Sequence, residues 1–122
     1  MITWIFTTKH TKRYWKLEVD EVKEKIIELL GNEIKFEGHF ELVVSNMSEK
    51  LQENLLKWVE NCREKKERAY TTIKNKKIVA FFFKPSDTRY RGILTKEKDA
   101  YYLALFLDKH KYYDRERESL GF

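Results

Sequence analysis

The last third of the chain contains a dense series of side chains that can transfer protons or carry positive charge. Residues 109–115 read Lys-His-Lys-Tyr-Tyr-Asp-Arg and come directly after an apolar, strand-like segment at residues 100–107. Cleaving RNA without a metal requires a base for the 2′-hydroxyl proton, cations beside the phosphorane and an acid for the 5′-oxygen. His110 is a candidate for base or acid, because histidine changes charge near neutral pH. The segment is therefore a candidate RNA-cleaving site.

The side chains around His110 supply the other groups that this chemistry needs. Lys109 and Lys111 can stabilise negative charge, and Arg115 adds a further cation. A tyrosine can stack on a base, or donate a proton where neighbouring charge lowers its pKa. We assign proton transfer to Tyr113 and stacking to Tyr112, although packing of one of them in the core is the simpler expectation. For His110 the alternative is a solvated surface imidazole.

Two arginines precede this segment and are spaced for a common role. Arg89 and Arg91 flank Tyr90, so on a strand both guanidinium groups point to one face and the tyrosine to the other. Arginine binds phosphate through two parallel hydrogen bonds and keeps its charge near neutral pH. The alternative is surface ion pairs with neighbouring acids, which are Asp87, Glu97 and Asp99. Lys84, which follows the strand expected at residues 78–83, is also predicted to contact nucleic acid.

The distribution of charge favours a polyanionic partner. The net charge is +5, but residues 1–61 carry nine Lys and Arg against eleven Asp and Glu, whereas residues 62–122 carry sixteen against nine. The basic half is thus the half that contains the candidate site. A basic surface binds nucleic acid by neutralising phosphates and releasing counterions. The alternative is a lysine-rich, solvated surface without a partner.

Several classes of site are excluded by what the chain lacks. Cys62 is the single cysteine, so an intrachain disulfide and a cysteine-built zinc site are excluded. His10 and His39 have no partners at a metal-ligand spacing, and no metal is expected. With four glycines and no phosphate-loop or dinucleotide pattern, no nucleotide cofactor is expected either.

Length and hydrophobicity predict one domain, residues 1–122, in the cytoplasm. A chain of 122 residues with 42% hydrophobic content can bury well over half of its unfolded surface. The apolar run at the N-terminus is too short for a signal peptide, and no run is long enough for a membrane span. We therefore expect no membrane association.

The hydrophobic pattern predicts an α+β fold. Residues 2–7 and 34–44 have the composition or alternation of strands, and residues 14–30 keep helical spacing up to Gly31. Asn46 is expected to cap a second helix whose apolar stripe reaches Cys62. From residue 69 onward, strands at 70–73, 78–83, 90–94 and 101–107 are joined by short connections. The prediction is an antiparallel meander sheet packed on two or three helices from the N-terminal half.

The segment from 78 to 115 resembles part of the RelE/ParE toxin superfamily of toxin–antitoxin systems. Residues 89–94, Arg-Tyr-Arg-Gly-Ile-Leu, the turn at 96–99 and residues 100–109 are similar to that family's penultimate strand, hairpin and last strand. Members that cleave messenger RNA use an arginine on the penultimate strand and basic, histidine or tyrosine groups near the C-terminus, without a metal. Arg91 and residues 109–115 match those places.

This resemblance implies a metal-independent endoribonuclease toxin, acting on RNA that could be ribosome-bound, with an antitoxin protein as its partner. Some members of the superfamily inhibit DNA gyrase instead and lack the catalytic side chains, so a shared fold does not establish cleavage. Two alternatives therefore stay open. One is a non-catalytic nucleic-acid-binding or regulatory protein that uses the same basic face, and the other is a scaffold module.

Overall fold

The computed structural model describes residues 16–71 and 78–122. Their helices are Val19–Leu30 (α1), Phe40–Asn46 (α2), Glu49–Arg63 (α3) and His110–Leu120 (α4). Their strands are Ile34–Gly38 (β1), Tyr70–Thr71 (β2), Ile78–Phe83 (β3), Tyr90–Glu97 (β4) and Ala100–Leu107 (β5). The predicted α+β class is confirmed. The strand expected at residues 2–7, the start of the helix expected at 14–30 and the turn expected at 74–77 lie outside the described residues.

The five strands form one mixed sheet in the order β1-β5-β4-β3-β2. Strands β2 to β5 pair antiparallel as a meander, but β1 pairs with β5 in parallel, with Ile34 opposite Tyr101 and Gly38 opposite Leu105. The prediction of a purely antiparallel sheet is therefore wrong. Parallel neighbours need a long crossover, and here the chain between β1 and β5 contains α2, α3 and the strands β2 to β4.

The segment at residues 34–44 was expected to be one strand and is instead a strand followed by a helix. β1 ends at Gly38, and α2 begins at Phe40. Phe40, Val43 and Val44 are buried, and their spacing of three and four residues places them on one helical face. The next helix, α3, is capped by Ser48 rather than by Asn46, since the Ser48 hydroxyl accepts from Leu51 N–H at 3.1 Å.

The main core lies between the sheet and helices α1 to α3. Alternate residues of β4, including Tyr90 and Leu94, point into this core, as do Leu103 and Leu105 of β5. Gly92 lies between them, and a Cβ there would approach Leu105 Cδ2 to 2.8 Å and Phe83 Cβ to 3.1 Å. A larger residue here would have to displace the Leu105 side chain and move Phe83 slightly, so glycine favours the close packing of the three central strands.

The opposite face of the sheet is covered in part by α4, a helix that the sequence did not predict. The ring of Tyr113 packs edge-on against Phe106 of β5, with centroids 5.7 Å apart. After the helix, Phe122 packs against Phe82 of β3 and Tyr70 of β2 at 5.3 and 6.0 Å. The segment beginning at His110 is thus a helix lying on the sheet.

Candidate nucleic-acid interface at the start of α4

The start of β4 and the end of β5 meet at one end of the sheet. Tyr90 is opposite Leu107 in the antiparallel register, and Asp108 N–H donates to the Arg89 carbonyl at 2.9 Å. Phe83, the last residue of β3, is opposite Gly92, so Lys84 leaves the sheet at the same end. Predicted site residues lie at this end of the sheet, and we call them together the basic end. They are Lys84, Arg89, Arg91, Lys109, His110, Lys111, Tyr112, Tyr113 and Arg115.

Arg89 is exposed and already has a partner. Its Nη2 lies 2.9 Å from Asp87 Oδ2 and its Nε lies 3.1 Å from Asp87 Oδ1. These hydrogen bonds hold the pKa of Asp87 below its usual value. Of the ion pairs that the sequence offered as an alternative to phosphate contact, the one with Asp87 is present. A phosphate approaching Arg89 would therefore share the guanidinium with this carboxylate.

Arg91 lies on the sheet face that α4 covers, in a half-buried position opposite Phe106. Its Nη1 donates to the carbonyl of Tyr90 at 2.8 Å. Burial raises the pKa of Tyr113, and the positive charge of Arg91 is close enough to this phenol to oppose part of that rise. The strand and the C-terminal segment therefore bring the predicted arginine and a predicted tyrosine together.

Tyr113 is the buried member of the tyrosine pair, with 4% of its surface exposed. Burial raises the pKa of Tyr113, while the charges of Arg117 and then Arg91 oppose that rise. Its hydroxyl is buried and has no hydrogen-bond partner among the described residues. Because this hydroxyl is closed off from solvent, Tyr113 does not present a proton to a substrate in this conformation.

The remaining members of the basic end are exposed. Lys109, His110 and Lys111 form the solvent-facing start of α4, and Lys84 is exposed at the end of β3. Tyr112 has 56% of its surface exposed, with Lys109 Nζ 5.7 Å and Arg115 Cζ 5.5 Å from its ring centroid. An aromatic ring between two cations suits a base next to its phosphates.

The start of α4 carries positive charge from the N-cap residue Lys109 and from Lys111 in the first turn. The whole helix is balanced, because Lys111, Arg115 and Arg117 are matched by Asp114, Glu116 and Glu118. Its first turn, however, contains no acidic residue. The N-terminal end of a helix also carries the positive pole of the backbone dipole. Attraction for an anion is therefore local to this turn.

An apolar groove of about 190 Å³ lies beside this turn, between α2 and the end of β5. Leu42 on one side and Tyr112 on the other are the exposed large hydrophobic residues of the described chain. His39 and Lys109 complete its polar rim. Such a groove can receive a flat apolar group, which a nucleobase provides.

Arg117 is a member of this region that the sequence reasoning missed. Its guanidinium carbon lies 5.7 Å from the ring of Phe82 and 5.8 Å from the ring of Tyr113, and its buried Nε has no hydrogen-bond partner among the residues described. Had the segment been taken as a helix, the four-residue step from Tyr113 would have placed Arg117 on the same face.

Comparison with models of known protein families, with curated protein sequences and with solved structures found no match. Within residues 16–71 and 78–122 there is no group of three or more side chains suited to hold a metal ion. In the same ranges no helix combines the length and the apolar character needed to cross a bilayer.

Proposed function

We propose that the protein binds single-stranded RNA through the basic end. The observation that supports this most directly is the exposed ring of Tyr112, which has the cations of Lys109 and Arg115 beside it at the end of the sheet where β4 begins and β5 ends. Phosphate contacts position a strand without reading its sequence. Lys109 and Lys111 are suited to those contacts, since they are exposed and form no ion pair within the described chain.

Base stacking on Tyr112 is the second part of the proposal. A single-stranded base can lie on the phenol ring and extend into the groove beside Leu42. Stacking on an aromatic side chain contributes about 1 to 3 kcal/mol per base. Duplex bases are already stacked on one another, so this contact favours unpaired RNA.

Binding is tested by fluorescence anisotropy of a labelled, unstructured RNA at 50 and 200 mM salt. The double variant Lys109→Ala/Lys111→Ala should bind at least about tenfold more weakly, and the salt slope should fall by about 1.4 because two phosphate contacts are lost. Tyr112→Ala should bind RNA about tenfold more weakly, whereas Tyr112→Phe keeps the aromatic ring and should keep the RNA affinity. Lys50→Ala, an exposed lysine on α3, is the matched control. Absence of binding to RNA at low salt would refute the proposal.

The second candidate function is metal-independent RNA cleavage by a toxin of the RelE/ParE type. It is favoured by the exposure of His110 at the same end of the sheet as Arg89 and Arg91. In this reaction the 2′-oxygen attacks phosphorus, the 5′-oxygen leaves, and a 2′,3′-cyclic phosphate forms. His110 would take or return the proton, Arg91 would bind the phosphate and Lys109 would stabilise its charge. An antitoxin would then cover these residues.

Cleavage is separated from binding by incubating RNA with the protein in EDTA. Loss of cleavage in His110→Ala and Arg91→Ala, with RNA affinity changed less than threefold in His110→Ala, would support the nuclease. Intact RNA despite saturable, salt-sensitive binding by the unmodified protein would leave the binding function alone. Tyr113→Phe should cleave as well as the unmodified protein, because the Tyr113 hydroxyl is shielded from solvent.

A further inference from the structure

A second group of cations surrounds a cavity at the other end of β4 and β5. The cavity, of about 590 Å³, lies between the C-terminal end of α3 and the β4–β5 hairpin. We name it the cationic cavity, and its principal lining residues are Arg63, Lys65, Lys96, Lys98, Phe81 and Tyr101. Ligand pockets in proteins commonly have volumes of about 300 to 1,000 Å³. Its size therefore suits a small organic molecule.

The charge in the cationic cavity is largely uncompensated. Lys65, Lys96 and Lys98 form no ion pair in the described chain. Arg63 has one partner, since its Nη2 lies 3.0 Å from Glu64 Oε2. Glu67 is the acid among the lining residues. Three lysines without an ion pair, beside the Arg63–Glu64 pair and Glu67, leave a net positive charge that favours an anionic ligand.

Two of these lysines are held in an unfavourable backbone conformation. Lys65 has φ 61° and Lys98 has φ 57°, and they are two of the three non-glycine residues with positive φ in the described chain. This left-handed conformation costs a residue with a Cβ roughly 1 to 2 kcal/mol, a cost that glycine avoids. Lys65 follows the C-cap of α3 and Lys98 lies in the two-residue turn between β4 and β5, which are both places where a positive φ is common. Here both strained positions present a cation to one cavity.

The interior of the cavity is apolar and partly aromatic. Phe81 and Val79 of β3 lie on its sheet side, and Tyr101 of β5 has Lys96 Nζ 5.4 Å from its ring centroid. Cys62 also lines the cavity, and burial raises the pKa of this thiol, so it stays protonated near neutral pH. A lining of this kind suits noncovalent packing of a flat ring.

We propose that the cationic cavity binds a small aromatic phosphate of the nucleoside monophosphate class. The phosphate lies among Arg63, Lys65 and Lys98, and it competes with Glu64 for the Arg63 guanidinium. The ring packs on Tyr101, beside Lys96. The Glu67 carboxylate can accept a hydrogen bond from a ribose hydroxyl or ring amine. This site is separate from the basic end and does not depend on RNA binding there.

The test is isothermal titration of the full chain with adenosine 5′-monophosphate, adenosine and inorganic phosphate. We expect saturable binding of the monophosphate, at least tenfold weaker binding of adenosine, and weakening with salt. The double variant Lys65→Gly/Lys98→Gly should bind the monophosphate at least about tenfold more weakly. Because glycine relieves both strained positions, its melting temperature should rise by about 3 °C or more. General damage to the fold would lower both quantities together.

Two further variants complete the test. Lys109→Ala/Lys111→Ala, at the basic end, should bind the monophosphate like the unmodified protein, whatever its affinity for RNA. If the glycine variant melts at a lower temperature than the unmodified protein, the decisive variant is Lys96→Gln. We expect its affinity for the monophosphate to fall about fivefold or more. The proposal is overturned by no binding at millimolar monophosphate, by equal affinity for adenosine, or by unchanged affinity in the decisive lysine variant.

Discussion

Tyr90 and Tyr113 are buried to nearly the same extent on opposite faces of the sheet, with 3% and 4% of their surfaces exposed. The Tyr90 hydroxyl donates to the Asn46 carbonyl at 3.0 Å, whereas the Tyr113 hydroxyl has no partner among the described residues. Gln52, also buried on the face of α1 to α3, makes two hydrogen bonds to Leu17. Apart from Trp58 Nε1, this face satisfies its buried polar side chains within the described chain, while the face under α4 leaves two unsatisfied.

This difference indicates which part of the molecule can rearrange at low cost. A buried polar group without a partner costs about 1 to 3 kcal/mol. A movement of α4 that let the Tyr113 hydroxyl or Arg117 Nε reach a partner would recover part of that cost. The face of α1 to α3 has fewer such groups to gain from movement. The basic end is thus built on the less tightly specified side of the sheet.

The largest expected effect comes from cutting neighbouring core residues of β4 that point to opposite faces. Leu94 is fully buried against α1 to α3. The variant Leu94→Ala should therefore lower the free energy of unfolding by about 3 to 4 kcal/mol. Ile93→Ala should lower the free energy of unfolding by about 2 kcal/mol, because α4 can move into the cavity that the shorter side chain leaves. Urea unfolding of both variants measures the difference. Equal losses would show that the two faces are equally rigid.

A smaller effect depends on pH and comes first from the face of α1 to α3. Burial raises the pKa of the Cys62 thiol, so the folded state keeps a proton that the unfolded state releases above about pH 8.5. Its contribution to stability is complete below that pH and is lost as the pH rises, by about 2 kcal/mol at pH 10. Tyr90 and Tyr113, whose pKa values burial also raises, add to the loss only above about pH 10.

The pH prediction is checked by urea unfolding between pH 7 and 11. Cys62→Ala should flatten the fall between pH 8.5 and 10 and leave the fall above pH 10 in place. An unchanged slope in this variant between pH 8.5 and 10 would contradict the assignment to Cys62.

The smallest effect is expected from removing each tyrosine hydroxyl, and its sign should differ between the faces. Tyr90→Phe should lower the unfolding free energy by about 1 kcal/mol, because the hydrogen bond to Asn46 is lost. Tyr113→Phe should leave stability unchanged or raise it by up to about 1 kcal/mol, because an unpaired buried hydroxyl is removed. Thermal unfolding of the two variants compares them directly. Destabilisation by Tyr113→Phe as large as that by Tyr90→Phe would remove the contrast.

The sequence predicted a helix or strand correctly where the hydrophobic residues within that segment identify it by themselves. β5 was expected at residues 100–107, where the structure has it, and the stripe from Leu51 to Cys62 is buried on α3. The prediction of a strand at residues 34–44 was wrong in its second half, because Phe40, Val43 and Val44 fit one face of a helix as well as they fit a strand. The parallel pairing of β1 with β5 could not be predicted, since it joins segments that carry no local sign of each other.

The candidate site was predicted in composition more than in geometry. The convergence of Arg91 with the C-terminal segment followed from placing them on adjacent strands. The sequence analysis assigned no secondary structure to residues 109–115, so it could not predict the helical face that buries Tyr113 and exposes Tyr112. The cationic cavity could not be predicted, because Arg63 and Lys65 are far in sequence from Lys96 and Lys98. Only the folded sheet brings these residues together.

The pairing of Ile34–Gly38 with the last strand has a consequence for the order of folding. β1 is synthesised before its partners, such as Tyr101 and Leu105, which emerge from the ribosome only after α2, α3 and strands β2 to β4. Contacts so distant in sequence form late, since a long loop must close first. Until β5 emerges, β1 has no partner strand, and in this interval the unpaired strand exposes the chain to aggregation.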